Sequence, residues 1–148
     1  STIAAYDALS DRFRKLLDGL TAVHEFEKSF PRDRFATPEA ARKWEEARAK
    51  NPPVVHPVVR THPETGRKAL FVDAASTSHI VGVPHKESEA ILELLYGQTH
   101  NPNVQCRVRW QAGDLVFYDN RSTQHYAVSD YNERRVMHLV SIKGTRPS

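Results

Sequence analysis

The chain has little cysteine and no long apolar run, and both absences narrow the kinds of protein it can be. Its 148 residues include one cysteine, Cys106, which excludes an internal disulfide and a zinc site built from several cysteines. So little cysteine fits the reducing cytoplasm, where we expect the protein to be. No stretch is apolar enough for a transmembrane helix, and residues 1–6 lack the features of a signal peptide. We therefore expect no association with a membrane.

The charged residues are not clustered by sign along the chain. The net charge is +3, from 21 basic and 18 acidic residues, and the two signs are interleaved, as in residues 42–48. Such mixing is typical of a solvated helix face, whereas nucleic-acid binding requires basic residues clustered in a patch or stripe. We expect no nucleic-acid partner.

Hydrophobic periodicity predicts helices in the first two thirds of the chain. Apolar residues recur at helical spacing in residues 3–20 and 86–96. Thr37 followed by Pro38 is a strong helix start, because threonine caps the first turn and proline fits the first helical position. That helix should end near Lys50, before two prolines.

Short alternating or β-rich runs predict strands throughout the chain, and they dominate its second half. A turn at residues 62–66 joins two of them, and Gly113 lies in another turn. Short strands separated by turns and long connections favour an antiparallel sandwich or jelly roll over a parallel sheet. The predicted class is α+β, mainly β, with strands at residues 21–26, 58–60, 69–72, 105–110, 115–118 and 134–142.

His125 is the most informative single residue. It follows a polar run, residues 119–121, directly after an apolar strand, and it precedes a strand that carries Arg134 and Arg135. A lone histidine at a strand edge is usually structural, so this placement alone does not establish a function.

A family resemblance favours a functional role for His125. The chain resembles the iron(II)- and 2-oxoglutarate-dependent taurine dioxygenase family, which includes the 2,4-dichlorophenoxyacetate dioxygenases. The resemblance runs nearly end to end and implies a double-stranded β-helix (jelly roll) with flanking helices, of which residues 1–148 would be the C-terminal part of a single domain. The matching segments are residues 3–10, 56–67, 79–82, 87–90, 110–114, 119–127 and 134–138.

The resemblance also implies a metal site and a cosubstrate site. Family members hold Fe(II) with two histidines and one carboxylate, which leaves positions for 2-oxoglutarate and dioxygen. The distal histidine falls on His125, and the arginine that binds the far carboxylate of 2-oxoglutarate falls on Arg135. Arginine suits that task because its planar fork makes two charge-assisted bonds to one carboxylate. The alternative for Arg135 is a surface ion pair with Asp130 or Glu133.

Two departures from the family pattern stand out. The other two iron ligands of the family lie in a His-x-Asp motif upstream of the matching region, and the local triplets at residues 62–64 and 85–87 fit a turn and a helix start instead. Sulfonate-using members carry a second arginine four positions after the clamp, where this chain has Leu139, about 13 Å along a strand from Arg135. The substrate pocket at Leu139 is therefore apolar, which argues against taurine and leaves an apolar substrate, or an anion held elsewhere. His79 lies in a segment that is near the substrate in the family.

Two functions from different classes follow. The first is a dioxygenase that hydroxylates a small organic substrate, apolar or anionic, and releases succinate and CO2, as a homo-oligomer. The second is a non-catalytic jelly-roll fragment or binding module, because a single histidine does not hold iron and unpaired strand edges favour association. We expect the 148-residue chain by itself to be inactive and poorly folded.

Overall fold

The structure is a computed structural model that describes residues 1–145 and 147–148. It begins with two short helices, α1 (Thr2–Asp7) and α2 (Asp11–Leu17), where periodicity predicted one helix over residues 3–20. The break occurs because Ser10 has an extended backbone and its hydroxyl accepts the Phe13 N–H, at 3.3 Å, which starts a new helix.

An antiparallel three-stranded sheet follows. It contains β1 (Thr21–His24), β2 (Val54–Pro57) and, at its other edge, β5 (Thr77–Ile80), in the order β2-β1-β5. Because β1 pairs on both sides, its backbone groups are satisfied and its Ala22 is fully buried.

The predicted hairpin is confirmed. β3 (Val59–Thr61) pairs antiparallel with β4 (Lys68–Leu70). Gly66 in the connecting turn has φ +68°, a conformation that glycine adopts without steric cost.

Of the remaining helices, the last packs against β5 and α1, and the longest one before it packs on the short helix at residues 26–29 through Trp44. They are α3 (Phe26–Ser29), α4 (Pro38–Lys50) and α5 (His85–Thr99), with 3-10 turns at Arg32–Arg34 and Pro102–Val104. α4 starts as predicted, with the Thr37 hydroxyl accepting the Ala40 N–H at 3.2 Å. Every helix in the described residues is too short or too polar to cross a membrane.

The hydrophobic core lies wholly in the first two thirds of the chain. It joins α1, α2 and α5 to the two sheets, and α5 contributes Leu92 and Leu95, while Leu94 is exposed. Its buried members are Ala5, Leu9, Leu17, Ala22, Val58, Leu70, Val72, Ile80, Leu92 and Leu95.

The downstream segment, residues 105–145, has no helix or strand. The strands predicted at 105–110, 115–118 and 134–142 are therefore wrong for this structure, because a strand forms only against a neighbour that pairs with its backbone. Their apolar side chains are left in solvent, with Leu115 94% and Val140 91% exposed. The class α+β with antiparallel sheets is confirmed, but helix outweighs strand, contrary to the expectation of a mainly β fold.

Candidate functional site

A cavity of about 290 Å³ lies beside the three-stranded sheet. There a loop of the downstream segment packs against residues 1–104, which we call the body. The sheet side supplies rings and polar groups, and the returning loop supplies amides and a guanidinium. The wall includes His24, His56, Phe71, Asp73 and Ser76 from the body, and Asn120, Arg121, Thr123 and Gln124 from the loop.

Three rings form the sheet side of this cavity. His24 and His56 lie on neighbouring strands with ring centroids 5.4 Å apart, and each packs against Phe71, at 5.6 and 5.3 Å. Sequence patterns assigned no role to either histidine, although each falls in or beside a predicted strand. Only strand pairing brings the two rings together.

Two polar side chains, those of Ser76 and Asp73, continue from His24 in a hydrogen-bonded row. The Ser76 hydroxyl donates to the Asp73 carboxylate at 2.5 Å and lies 3.1 Å from Nδ1 of His24. Burial lowers the pKa of His24, against the opposing effect of the nearby Asp73 carboxylate. The cavity therefore presents a histidine that favours its neutral form.

The loop that carries His125 is attached to the body by an ionic network. Nε2 of His62 lies 2.9 Å from the Asp119 carboxylate, and Arg121 bonds both Asp119, at 2.7 Å, and Glu64, at 2.9 Å. Hydrogen bonds from Arg121 and His62 hold the pKa of the Asp119 carboxyl far below its usual range. Arg121 likewise lowers the pKa of Glu64.

Two further contacts complete the attachment. The Thr2 N–H donates to the Ser122 carbonyl at 2.9 Å, and the Gln124 side-chain amide donates to the Val72 carbonyl at 2.7 Å. His125 follows directly, is exposed, and its ring lies 5.3 Å from that of Tyr118. The loop is thus fixed up to the residue before the predicted iron ligand.

The other predicted site residues lie apart from the cavity wall. Arg135 is exposed and its guanidinium lies 4.6 Å from the centre of the Tyr131 ring. Leu139 is 72% exposed. His79 is exposed on β5, with Nδ1 2.9 Å from the Ser78 hydroxyl. Neither His125 nor any of these three residues lines the cavity.

The described residues hold no complete metal site. Within them, no group of three or more histidine, cysteine, aspartate or glutamate side chains is arranged to bind a metal ion. The triplets at 62–64 and 85–87 are structural, as expected: His62 and Glu64 belong to the network above, and His85 makes an exposed pair with Glu89.

Comparison with known proteins shows which family the chain belongs to. The model of the taurine catabolism dioxygenase TauD, TfdA family matches residues 1–142. The chain belongs to this family. Members of the taurine dioxygenase family use Fe(II) and 2-oxoglutarate.

The individual relatives agree in class and differ in substrate. The chain is 36% identical to an alpha-ketoglutarate-dependent sulfate ester dioxygenase of Pseudomonas putida, over 99% of this chain and 50% of the relative. It is 38% identical to the alpha-ketoglutarate-dependent 2,4-dichlorophenoxyacetate dioxygenase of Burkholderia sp. (strain RASC), over 97% of this chain and 46% of the relative.

A solved structure supports the same conclusion. The crystal structure of a taurine dioxygenase from Burkholderia xenovorans matches with a TM-score of 0.58 and 37% identity, covering 76% of this chain and 33% of that one. The chain thus spans about a third to a half of the length of the relatives it matches.

Proposed function

We propose that residues 1–148 are the C-terminal part of a single dioxygenase domain that hydroxylates a small organic substrate with Fe(II), 2-oxoglutarate and dioxygen. The observation that carries this proposal is the family match over residues 1–142, which includes His125 and Arg135. Relatives with this match act on sulfate esters and on 2,4-dichlorophenoxyacetate, as their names state.

His125 is the proposed iron ligand within this chain. Its imidazole is exposed at the end of a fixed loop, and imidazole is a common ligand of Fe(II). The described residues offer no group of three donors, so the remaining ligands would come from outside residues 1–148. Bound iron would supply the oxidising chemistry, which couples conversion of 2-oxoglutarate to succinate and CO2 with C–H hydroxylation.

Arg135 is the proposed anchor for the far carboxylate of 2-oxoglutarate. Its guanidinium lies 4.6 Å from the centre of the Tyr131 ring, and the planar fork of arginine matches the geometry of a carboxylate. Glu133 and Asp130 are close in sequence, but Asp130 pairs with Arg107 instead. That pairing removes one of the two surface alternatives for Arg135.

A jelly roll would explain the exposed apolar side chains downstream. Residues 134–142 have the composition of a strand, and in a complete domain they would pair with strands absent from these 148 residues. Pairing would place Arg135 and Leu139 on one face, since residues four apart on a strand point the same way. Leu139 would then give the substrate pocket an apolar wall.

The substrate class follows from Leu139 and the cavity. An apolar side chain at position 139 favours an apolar substrate, or an anionic one whose charge is held by another residue. His79 is the predicted contact for such a group, and His24 and Arg121 at the cavity are further polar candidates.

An anaerobic binding experiment on the whole protein that the gene encodes tests the iron and 2-oxoglutarate sites together. Addition of Fe(II) and 2-oxoglutarate should produce a visible charge-transfer band. His125→Ala should abolish iron binding, and Arg135→Ala should retain iron but require more 2-oxoglutarate.

Arg134→Ala is the matched control for Arg135→Ala, because the Arg134 side chain would point to the opposite face of the strand from Arg135. We expect it to bind 2-oxoglutarate like the wild type. Absence of the band from the wild-type protein would refute the iron assignment, and equal 2-oxoglutarate affinity in Arg135→Ala would remove that residue from the site.

The second candidate is a non-catalytic fragment that binds a carboxylate or a partner chain. The incomplete donor set of the described residues favours it. Succinate formation coupled to substrate by the 148-residue chain alone would exclude this alternative.

A further inference from the structure

We propose that His62 is a positioning residue for His125, acting through Asp119. The two histidines are far apart in sequence, and His62 does not touch the proposed iron ligand. It holds the loop that ends at His125, so this inference deepens the proposed function and rests on it.

The hairpin turn fixes the ring of His62. Its Nδ1 accepts the backbone N–H groups of Glu64 and Thr65, at 3.3 and 3.2 Å. With Nδ1 acting as acceptor, the ring proton is on Nε2, which donates to Asp119 Oδ2 at 2.9 Å. The His62 side chain is 5% exposed, so the loop meets a rigid, buried donor.

The far side of Asp119 shapes the loop itself. Its Oδ1 accepts the backbone N–H of Arg121 at 2.8 Å, which closes a turn of the Asx type. Tyr118 is the residue before Asp119, and its ring centroid lies 5.3 Å from that of His125. Movement of Asp119 would therefore displace both the loop backbone and the ring that packs on His125.

A second link between loop and hairpin offers a comparison. Arg121 donates to Glu64 Oε1 at 2.9 Å, but the Glu64 side chain is 71% exposed. Exposed ion pairs contribute little, whereas a buried group that loses its hydrogen-bond partner is strongly affected. The His62 link, and not the Glu64 link, should control where His125 lies.

His62→Asn in the whole protein is the direct test. An asparagine oxygen can still accept the N–H groups of residues 64 and 65, so the turn remains, but the shorter side chain does not reach Asp119. We expect Fe(II) to bind about 10-fold more weakly in the anaerobic titration, in the range seen when residues that orient a metal ligand are changed. The variant should remain folded, with a circular dichroism spectrum like that of the wild type.

Asp119→Asn breaks the same link from the other side and keeps the test valid if His62→Asn does not fold. The side-chain oxygen of the asparagine would accept the Arg121 backbone N–H. The amide NH2 group of the asparagine would then face the His62 Nε2–H, and two donors cannot form a hydrogen bond. We expect a similar loss of Fe(II) affinity, and a double variant no weaker than the weaker single one.

Glu64→Gln is the matched control, since it weakens the exposed link to the same turn. It should leave Fe(II) affinity unchanged. Wild-type affinity in both His62→Asn and Asp119→Asn, or an equal loss in Glu64→Gln, would overturn the positioning role while leaving the iron site intact. Failure of the wild-type protein to bind Fe(II) would instead contradict the proposed function, and the positioning role with it.

Discussion

Residues 1–104 and residues 105–145 have similar strand-like patterns but different structures. In the part of the chain that the structure describes, the first region contains the hydrophobic core and the five strands, and the second contains no strand and exposes most of its large apolar side chains. The two regions touch mainly through the loop at residues 119–124. Alternating apolar residues therefore specify which faces a strand would have, but not whether it has a neighbour.

β1 and the segment 134–142 make the difference concrete. β1 has hydrogen-bonded neighbours on both edges, from residues thirty or more positions downstream. The segment 134–142 has an equally apolar sequence and no neighbour among the described residues. A two-stranded or unpaired segment is marginal in water, because its backbone groups and apolar face remain solvated.

The largest expected effect comes from truncating equivalent leucines in the two regions. Leu95→Ala should lower the free energy of unfolding of this chain by about 2–5 kcal/mol, because it opens a cavity in a closed core. Leu115→Ala, at a side chain that is 94% exposed, should change it by less than about 0.5 kcal/mol. Urea unfolding monitored by circular dichroism measures both.

The same pair in the whole protein sharpens the comparison. If residues 115–118 pair there, Leu115→Ala should become destabilising by more than about 1 kcal/mol. Equal effects of Leu115→Ala in the chain and in the whole protein would contradict the proposed pairing of the downstream strands.

Substitution of three glycines by alanine should distinguish the two regions by smaller changes in the free energy of unfolding. Gly66→Ala should cost about 1–2 kcal/mol, because φ is +68° there and an L side chain is strained in that conformation. Gly97→Ala, inside α5 with open space around it, should stabilise by roughly 0.5–1 kcal/mol.

Gly144→Ala, in the downstream segment, should have no measurable effect on the free energy of unfolding of this chain, because nothing there is folded around it. Thermal denaturation of the three variants ranks them. A stabilisation at Gly144 as large as that at Gly97 would show that the downstream backbone is ordered in the folded chain.

Acid should detach the downstream loop before it affects the core. The folded-state pKa of Asp119 lies below its unfolded value, so its contribution is complete above about pH 4 and is lost as pH falls through the folded-state pKa. Hydrogen exchange of the Arg121 and Ser122 amides, which donate to Asp119, should accelerate in that acid range while the amides of β1 stay protected.

Asp119→Asn supplies the control for this acid release. In that variant the same amides should exchange quickly at neutral pH and show little further dependence on acid. Slow exchange at neutral pH in Asp119→Asn would mean that the other loop contacts suffice.

The smallest effect expected is the pH dependence at His24. Burial lowers its folded-state pKa below the unfolded value of about 6.5, so unfolding takes up a proton as pH falls. Stability should therefore be highest above about pH 7 and decrease toward pH 5. His24→Gln should flatten this part of the profile of unfolding free energy against pH, and an unchanged profile would place the titration elsewhere.

Local chemistry in the sequence determined much of the body. Thr37 with Pro38 predicted the start of α4, and the glycine and proline at residues 62–66 predicted the β3–β4 turn, because caps and turns depend on a few adjacent residues. The family resemblance singled out His125 and Arg135, whose roles remain predictions. Neither source indicated that Ser10 would divide the first helix, since periodicity does not register a cap within an apolar run.

Only the tertiary structure decided what depends on residues far apart. It joined His62 to Asp119 across 57 positions and placed His24 beside His56 through strand pairing. It also left residues 134–142 without a paired strand among the residues that the structure describes. Hydrogen bonds and strand pairs of this kind require two segments at once, so no single segment's sequence specifies them, whereas a cap, a turn or an apolar face is specified by the segment alone.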